Sequence, residues 1–131
     1  MTLPIITGLY AAVLALVFCV LGFRVGPLRV KLGISMGDDG NKDLALEVRR
    51  HGNFAEHVPL ALILLALIEI NGAPGLALHI MGIGLVMSRV VHPMGLRWDK
   101  VQTAPRAIGA GGTALVTLVA AGWAIYQFAV A

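Results

Sequence analysis

Charged residues occupy only part of this chain, and the rest is long, apolar sequence. All ten Lys and Arg residues lie in two windows, 24–50 and 89–106. Residues 1–23 and 107–131 contain no charged side chain at all. With 131 residues, 58% of them hydrophobic and 13% charged, the chain has more apolar surface than one soluble core can bury. The pattern therefore predicts an all-α integral membrane protein and excludes a disordered chain.

Four stretches are long and apolar enough to form membrane-spanning helices: about 3–23, 43–70, 75–92 and 104–128. The first has 21 residues, and about 20 suffice to cross a hydrocarbon core of roughly 30 Å. A cleavable signal peptide is the competing interpretation, but the apolar run has no basic segment before it and no small-residue cleavage site after it. The sequence predicts a single four-helix membrane domain over residues 1–131.

Turn-forming residues bracket the second stretch. Asn41 is predicted to cap its N-terminus, and the segment 71–75 (Asn-Gly-Ala-Pro-Gly) is predicted to end it. Pro93 and Gly95 are similarly predicted to break the third helix after His92.

The two basic windows fall in the first and third connections between the predicted spans. Positively charged loops stay in the cytoplasm, so both termini are predicted to lie on the outer side of a bacterial inner membrane. The net charge of +3 is therefore a topology signal, and no basic patch interleaved with aromatic residues indicates nucleic acid. We expect contacts with membrane lipids, no nucleic-acid partner and no metal site, because no residue spacing fixes a coordination geometry.

A polar stripe enters the apolar part of the second helix. At about 100° per residue, Arg49, Asn53 and Glu56 lie within about 60° of one another, whereas His51 points to the far side. A buried carboxylate is costly alone, so Glu56 requires a partner. The stripe is consistent with an internal ion-pair network, with arginines that extend to the interface, or with a site for a small anionic ligand.

Small residues open the fourth helix, where they allow close helix packing. Packing within the bundle and a subunit interface both explain them, and a bundle of four helices is thin enough that we expect oligomerisation. These residues are Ala107, Gly109, Ala110, Gly111, Gly112 and Ala114.

The other polar residues of the spans are predicted to have structural roles rather than to bind a ligand. Glu69 is predicted to lie at the outward interface, and Tyr10 and Tyr126 are predicted to be interfacial belt residues. His79, isolated in an apolar run, is predicted to be a hydrogen-bonded packing residue.

Residues 49–59, RRHGNFAEHVP, resemble the second-helix signature of the MAPEG family, the membrane-associated proteins in eicosanoid and glutathione metabolism. The family pattern is an Arg, an Asn four residues later, a Glu three after that and a Pro three further on. The chain length, the number of spans and their orientation also resemble those of the family. Within the family, the chain resembles the small bacterial branch most. The resemblance implies a homotrimer that binds glutathione as co-substrate at the cytoplasmic side, between neighbouring subunits.

The resemblance also implies roles for individual residues. Arg49 is implied to hold a carboxylate of glutathione, Asn53 its peptide groups and Glu56 its γ-glutamyl amine. Arg106, which opens the fourth helix, is implied to be the catalytic residue that stabilises the thiolate from the next subunit. The other positions implied to bind glutathione are His51, His57, Arg24, Arg29, Arg89 and His92.

These features favour a membrane-embedded glutathione-dependent transferase or peroxidase whose hydrophobic small-molecule substrate, a lipophilic electrophile, arrives from the bilayer. The family places tyrosines near the end of the third helix, a feature that this chain lacks. That departure keeps open the alternative of a non-catalytic lipid- or fatty-acid-binding protein of the same fold. A small multidrug-type transporter ranks last, because residues 3–23 lack the acidic residue that such a transporter needs there.

Overall fold

The structure, a computed structural model, describes residues 3–131. Within these residues the chain forms four α-helices and no strand: α1 (Ile5–Leu32), α2 (Lys42–Ile70), α3 (Gly75–Gly95) and α4 (Ala104–Ala129). Each helix is long and apolar enough to cross a membrane. The predicted all-α, four-helix membrane bundle is therefore confirmed.

The helices pack in the cyclic order α1, α2, α4, α3, so that α2 and α3 face each other across the bundle. Leu14 of α1, Leu65 of α2, Leu85 of α3 and Ala120 of α4 are each at most 1% exposed and form part of the shared core. Large apolar side chains also remain exposed on the outer face of every helix. Such a surface suits a solvent of lipid chains.

The start of α2 follows the predicted cap. The Asn41 side chain accepts a hydrogen bond of 3.0 Å from the Leu44 backbone N–H. This bond satisfies one of the first-turn donors, which have no partner within the helix. At the other end, α2 stops at Ile70, as predicted, and Gly72 turns the chain with a φ of 86°.

The first helix continues well beyond the charge-free stretch. It runs to Leu32, where Gly33 adopts a left-handed φ of 69° that ends it. Arg29 secures this end, because its guanidinium donates to the backbone carbonyls of Ile34 and Gly37 at 3.4 and 2.7 Å. The first helix therefore includes the basic residues that follow its apolar segment.

Of the two residues predicted to break α3 after His92, Pro93 does not interrupt the helix, which continues to Gly95 and ends there. Its last turn packs against the start of α4, where a side chain on Gly95 would collide with the Arg106 backbone nitrogen. The Thr103 hydroxyl also donates to the Gly95 carbonyl at 2.6 Å. These contacts with the next segment hold the last turn of α3 in place.

Two glycines explain how closely α3 and α4 approach each other. A β-carbon on Gly109 would meet His92 and the Ser88 carbonyl, and one on Gly112 would meet the Ser88 side chain. Packing within the bundle therefore accounts for these two small residues. The others face outward: Ala107, Ala110, Gly111 and Ala114 are exposed.

Glu69, predicted to lie at the outward interface, is in the last turn of α2, and its side chain ties two helices together. Glu69 is 5% exposed and accepts from the backbone N–H groups of Ile6 and Thr7 at 2.8 and 2.7 Å. First-turn N–H groups lack partners within their own helix, and a carboxylate also matches the positive end of the helix dipole. The end of α2 thus caps the start of α1.

Tyr10 is likewise buried rather than interfacial. Its hydroxyl forms a hydrogen bond of 2.7 Å with Nδ1 of His79, and its ring occupies the space beside Gly82, which has no side chain. The predicted hydrogen bond of His79 is confirmed, while the residue itself is exposed. Tyr126, by contrast, is 63% exposed on α4.

Replacing Glu69 tests the cap. Glu69→Ala should lower the free energy of unfolding by about 1–3 kcal/mol, because two buried backbone donors lose their acceptor. Glu69→Gln keeps one side-chain oxygen and should lose less. Thermal unfolding in detergent micelles measures both variants, and an unchanged midpoint for Glu69→Ala would contradict this role.

Candidate functional site

The polar stripe of α2 opens into two adjoining cavities at the end of the bundle that carries the basic loops, and we call these cavities together the polar cleft. The larger, of about 500 Å³, lies between α2, α3 and α4, and the smaller, of about 260 Å³, lies nearer the third loop. Asn53 and His92 line both cavities. The other polar or charged lining residues are Glu56, His57, Arg89, Thr113 and Thr117 in the larger cavity, and Lys42, Arg49, Arg97 and Arg106 in the smaller.

Arg49 and Glu56 form a bidentate ion pair at the edge of the polar cleft. The guanidinium donates to the two carboxylate oxygens at 2.8 and 3.0 Å, across two turns of α2. Both side chains are about half exposed, at 54% and 51%. Because both side chains are accessible, a ligand that offers a carboxylate and an ammonium can exchange partners with this pair.

Arg89 joins three helices from a fully enclosed position. It is 2% exposed, and it donates to the Asn53 side-chain oxygen at 3.0 Å and to the Gly109 carbonyl at 2.9 Å. Both acceptors are neutral, and no carboxylate within residues 3–131 forms an ion pair with this guanidinium. The floor of the polar cleft therefore carries an uncompensated positive charge.

Two histidines complete the wall around Asn53. His92 lies one turn beyond Arg89 on α3 and is 4% exposed. His57 donates through Nδ1 to the Asn53 backbone carbonyl at 2.8 Å. Asn53 thus accepts from Arg89 at its side-chain oxygen and from His57 at its backbone carbonyl.

Arg106 stands at the mouth of the polar cleft. Its guanidinium donates to the Val101 carbonyl at 2.7 Å, which fixes it beside the third loop. Lys42 crosses from α2 and lies 4.2 Å from the ring centre of Trp98 in a cation–π contact. These cations add to the positive charge at the entrance.

The same loop contains an ion pair at its surface. Arg97 donates to both carboxylate oxygens of Asp99 at 2.9 and 3.0 Å. This hydrogen-bonded guanidinium lowers the pKa of the Asp99 carboxyl from its usual value.

Three of the predicted glutathione-binding residues lie away from the polar cleft of their own chain. His51 stacks on Phe18 of α1 with ring centres 4.4 Å apart, on the far side of α2 as predicted. Arg24 lies 3.8 Å from Glu47, and Arg29 binds backbone carbonyls at the end of α1. The predicted residues that the fold does bring together are Arg49, Asn53, Glu56, His57, Arg89, His92 and Arg106.

Two hydroxyl groups that line the larger cavity were not predicted from the sequence. Thr113 donates to the Gly109 carbonyl at 2.9 Å, and Thr117 donates to the Thr113 carbonyl at 2.8 Å. Their signal in the sequence was a spacing of four residues on an otherwise apolar helix, which places both on one face.

Comparisons with known proteins agree with this architecture. Residues 7–126 match the sequence profile of the MAPEG family. The inner membrane protein YecN of Escherichia coli K12 is 35% identical over 100 residues, which cover 72% of this chain and 76% of that protein. YecN of Escherichia coli O6:H1 matches to the same extent. No solved structure matches the chain significantly. Together with the candidate spans, these relatives indicate a multi-pass integral protein of the inner membrane, as predicted.

Replacing Arg89 tests the assembly of the polar cleft. Arg89→Met should lower the free energy of unfolding by about 1–3 kcal/mol, because the Asn53 side-chain oxygen loses its donor and the Gly109 carbonyl keeps only Thr113. Arg97→Met is the matched control, and loss of its exposed ion pair should change the free energy of unfolding much less than Arg89→Met does. Equal losses for the two variants in thermal unfolding would contradict the bridging role of Arg89.

Proposed function

This chain belongs to the MAPEG family, and we propose that it is a glutathione-dependent transferase or peroxidase that acts on lipophilic electrophiles. The observation that supports the proposal best is the polar cleft itself. An exchangeable Arg49–Glu56 pair lies there beside the buried, uncompensated charge of Arg89. Glutathione offers the complementary groups: two carboxylates, one ammonium, two amides and a thiol.

The γ-glutamyl end of glutathione suits the Arg49–Glu56 pair. This end carries both an ammonium and a carboxylate, so its carboxylate can bind Arg49 while its ammonium binds Glu56. One internal ion pair is then replaced by two pairs with the ligand, and the net charge at the edge of the cleft stays the same. Both side chains of the internal pair are about half exposed, so the ligand can reach them.

Asn53 is suited to hold a peptide group of the ligand. Its side-chain oxygen accepts from Arg89, so its amide nitrogen is the atom oriented to donate. The remaining carboxylate and the thiol then lie toward the cationic floor and mouth, where Arg89, Arg106 and Lys42 stand. The excess of positive charge in the polar cleft matches a peptide that carries a net negative charge at neutral pH.

Guanidinium groups supply the activation that the thiol needs. A free thiol has a pKa of about 8.5 and is mostly protonated at pH 7, and a neighbouring cation favours its thiolate. Arg106, at the mouth, is the proposed catalytic residue. Tyr10 is engaged with His79 in another part of the bundle, so thiolate stabilisation here relies on arginine rather than on that phenol.

Both proposed reactions use the same thiolate. In conjugation, the sulfur forms a bond to an electrophilic carbon, and the leaving group departs with its electron pair. In peroxide reduction, the sulfur attacks the terminal oxygen of a hydroperoxide and gives an alcohol and a glutathione sulfenic acid. A second glutathione then converts the sulfenic acid to the disulfide and water.

The proposed active unit is a homotrimer with glutathione between subunits at the cytoplasmic side. Three of the proposed ligand residues, His51, Arg24 and Arg29, lie away from the polar cleft of their own chain. In the proposed trimer they would contribute to the polar cleft of a neighbouring subunit. The exposed small residues Ala110 and Ala114 line the larger cavity and permit close approach of another helix.

Glutathione binding tests the ligand assignment. Arg49→Gln and Glu56→Gln should each weaken binding roughly 10- to 100-fold, because each removes a charge-assisted hydrogen bond. Calorimetry on the full chain in detergent measures this effect, and Lys31→Gln, a cation outside the polar cleft, serves as the control. Unchanged affinity in both variants would contradict the site.

A glutathione analogue without the α-amino group separates the two ends of the ion pair. Glutaryl-cysteinylglycine keeps the peptide and the thiol but lacks the ammonium. Its binding should not be weakened by Glu56→Gln, since no cation is left for the carboxylate to hold and the substitution frees Arg49 for the ligand carboxylate. If Glu56→Gln weakens the analogue as much as it weakens glutathione, the carboxylate has a structural role only.

Oligomeric mass tests the shared site. Native mass spectrometry should detect a species of three times the 13.8 kDa chain mass. Co-expression of Asn53→Ala with His51→Ala should restore glutathione binding at part of the sites, because mixed trimers contain interfaces with both residues intact. A monomer that binds glutathione with full affinity would contradict the intersubunit arrangement.

A further inference from the structure

The guanidinium groups of the polar cleft can stabilise a thiolate, but they cannot accept the proton that a thiol gives up. An arginine side chain stays protonated in proteins and has no acceptor atom. Within residues 3–131, the lining side chains of the polar cleft that can take up a proton are Glu56, His57 and His92. One of these three must receive the thiol proton if the proton is to stay in the site.

Glu56 is committed to other partners. Its two carboxylate oxygens accept from Arg49 at 2.8 and 3.0 Å, and in the proposed complex they hold the ammonium of glutathione. A carboxylate that pairs with a cation keeps its charged form, so it is a weak proton acceptor near neutral pH.

His92 is enclosed by positive charge. Its side chain is 4% exposed, and the guanidinium groups of Arg49, Arg89 and Arg106 all interact with it electrostatically. An additional positive charge at this buried position would be repelled by all three guanidinium groups. His92 is therefore poorly placed to take up a proton.

His57 has its proton-accepting nitrogen free. It is exposed on the wall of the larger cavity. A backbone carbonyl can only accept a hydrogen bond, so the 2.8 Å contact with the Asn53 carbonyl places the hydrogen of the neutral ring on Nδ1. The lone pair then lies on Nε2, and among the described residues nothing forms a hydrogen bond with that nitrogen.

The Glu56 carboxylate offsets the charge that His57 gains as an imidazolium. The two side chains are close enough to interact electrostatically. The groups that α3 and α4 bring to the same cavity carry no negative charge, so Glu56 is the one acid that stabilises an imidazolium here. These groups are Arg89 and His92 of α3 and the hydroxyl groups of Thr113 and Thr117 of α4.

His92 marks the place where the base and the activating cation meet. It lines both cavities of the polar cleft, and it interacts electrostatically with His57 from the larger cavity and with Arg106 from the smaller. A sulfur atom beside His92 therefore lies between Nε2 of His57 and the guanidinium of Arg106.

We propose that His57 is a second catalytic residue of the glutathione chemistry, and that its Nε2 accepts the proton of the bound thiol. This inference rests on the proposed function. The S–H bond breaks, its electron pair stays on the sulfur, and the proton binds Nε2. In peroxide reduction the thiolate attacks the terminal oxygen and the O–O bond breaks. The departing alkoxide then takes the proton from Nε2, which gives the alcohol and the sulfenic acid and restores the neutral imidazole.

Counting protons tests this role. Calorimetry on the full chain in detergent at pH 7.5, in buffers of different ionisation enthalpy, gives the protons released when glutathione binds, and ultraviolet absorbance gives the thiolates formed. S-methylglutathione has the same charged groups without an ionisable thiol and supplies the baseline. Above that baseline, the wild-type chain should release far fewer protons than it forms thiolates.

His57→Gln separates proton transfer from binding. Its amide still donates to the Asn53 carbonyl but cannot take up a proton. The variant should release as many protons as it forms thiolates. Its kcat with cumene hydroperoxide should fall on the order of 100-fold, whereas its affinity for glutathione should change much less. His79→Gln, a histidine substitution outside the polar cleft, is the control and should behave as wild type.

Three results would overturn the inference. If the wild-type chain releases as many protons as it forms thiolates, the guanidinium groups act without a base, and the proposed function stands alone. If His92→Gln changes the proton count and His57→Gln does not, His92 is the acceptor. If glutathione does not bind at all, the proposed function fails together with this role of His57.

Discussion

The buried guanidinium of Arg89 holds three helices together. Arg89 lies on α3, and its two neutral acceptors come from α2 and α4. These two hydrogen bonds orient the side-chain amide of Asn53 and require α4 to approach closely at Gly109. The same charge lies between two cavities, one polar and one largely apolar. Polar groups inside a membrane bundle must find their hydrogen-bond partners in the protein. The need of the Arg89 guanidinium for acceptors therefore determines how α2 and α4 pack around it.

The glycines of α4 make this arrangement possible. With no β-carbon at Gly109 and Gly112, α4 approaches Ser88 and His92 closely enough for a backbone carbonyl to reach Arg89. The outward-facing small residues of the same helix do not take part in that packing, which leaves them available to a neighbouring subunit. One short segment thus supports packing within the chain and the proposed contact between chains.

Structural features that depend on residues close together in the sequence were mostly predictable. The spans follow from hydrophobic length, the start of α2 from Asn41, and the opposite direction of His51 from helical periodicity. Contacts between distant parts of the chain left no such signal. Glu69 reaches backbone groups 62 and 63 residues away, and Tyr10 reaches a histidine 69 residues away. Likewise, α3 continues beyond Pro93 because contacts with the start of α4 support its last turn. The expectation that proline ends a helix considers α3 alone and therefore places the end of α3 too early.

The ultraviolet absorbance of the glutathione thiolate tests the central claim most directly, because it reports binding and activation together. Glutathione is titrated into the full chain in detergent across a pH series, and the difference spectrum is followed. We expect a saturable thiolate signal at pH 7, with a pKa of the bound thiol below the ordinary value of about 8.5. A spectrum identical to that of free glutathione at every pH would contradict the assignment of the polar cleft.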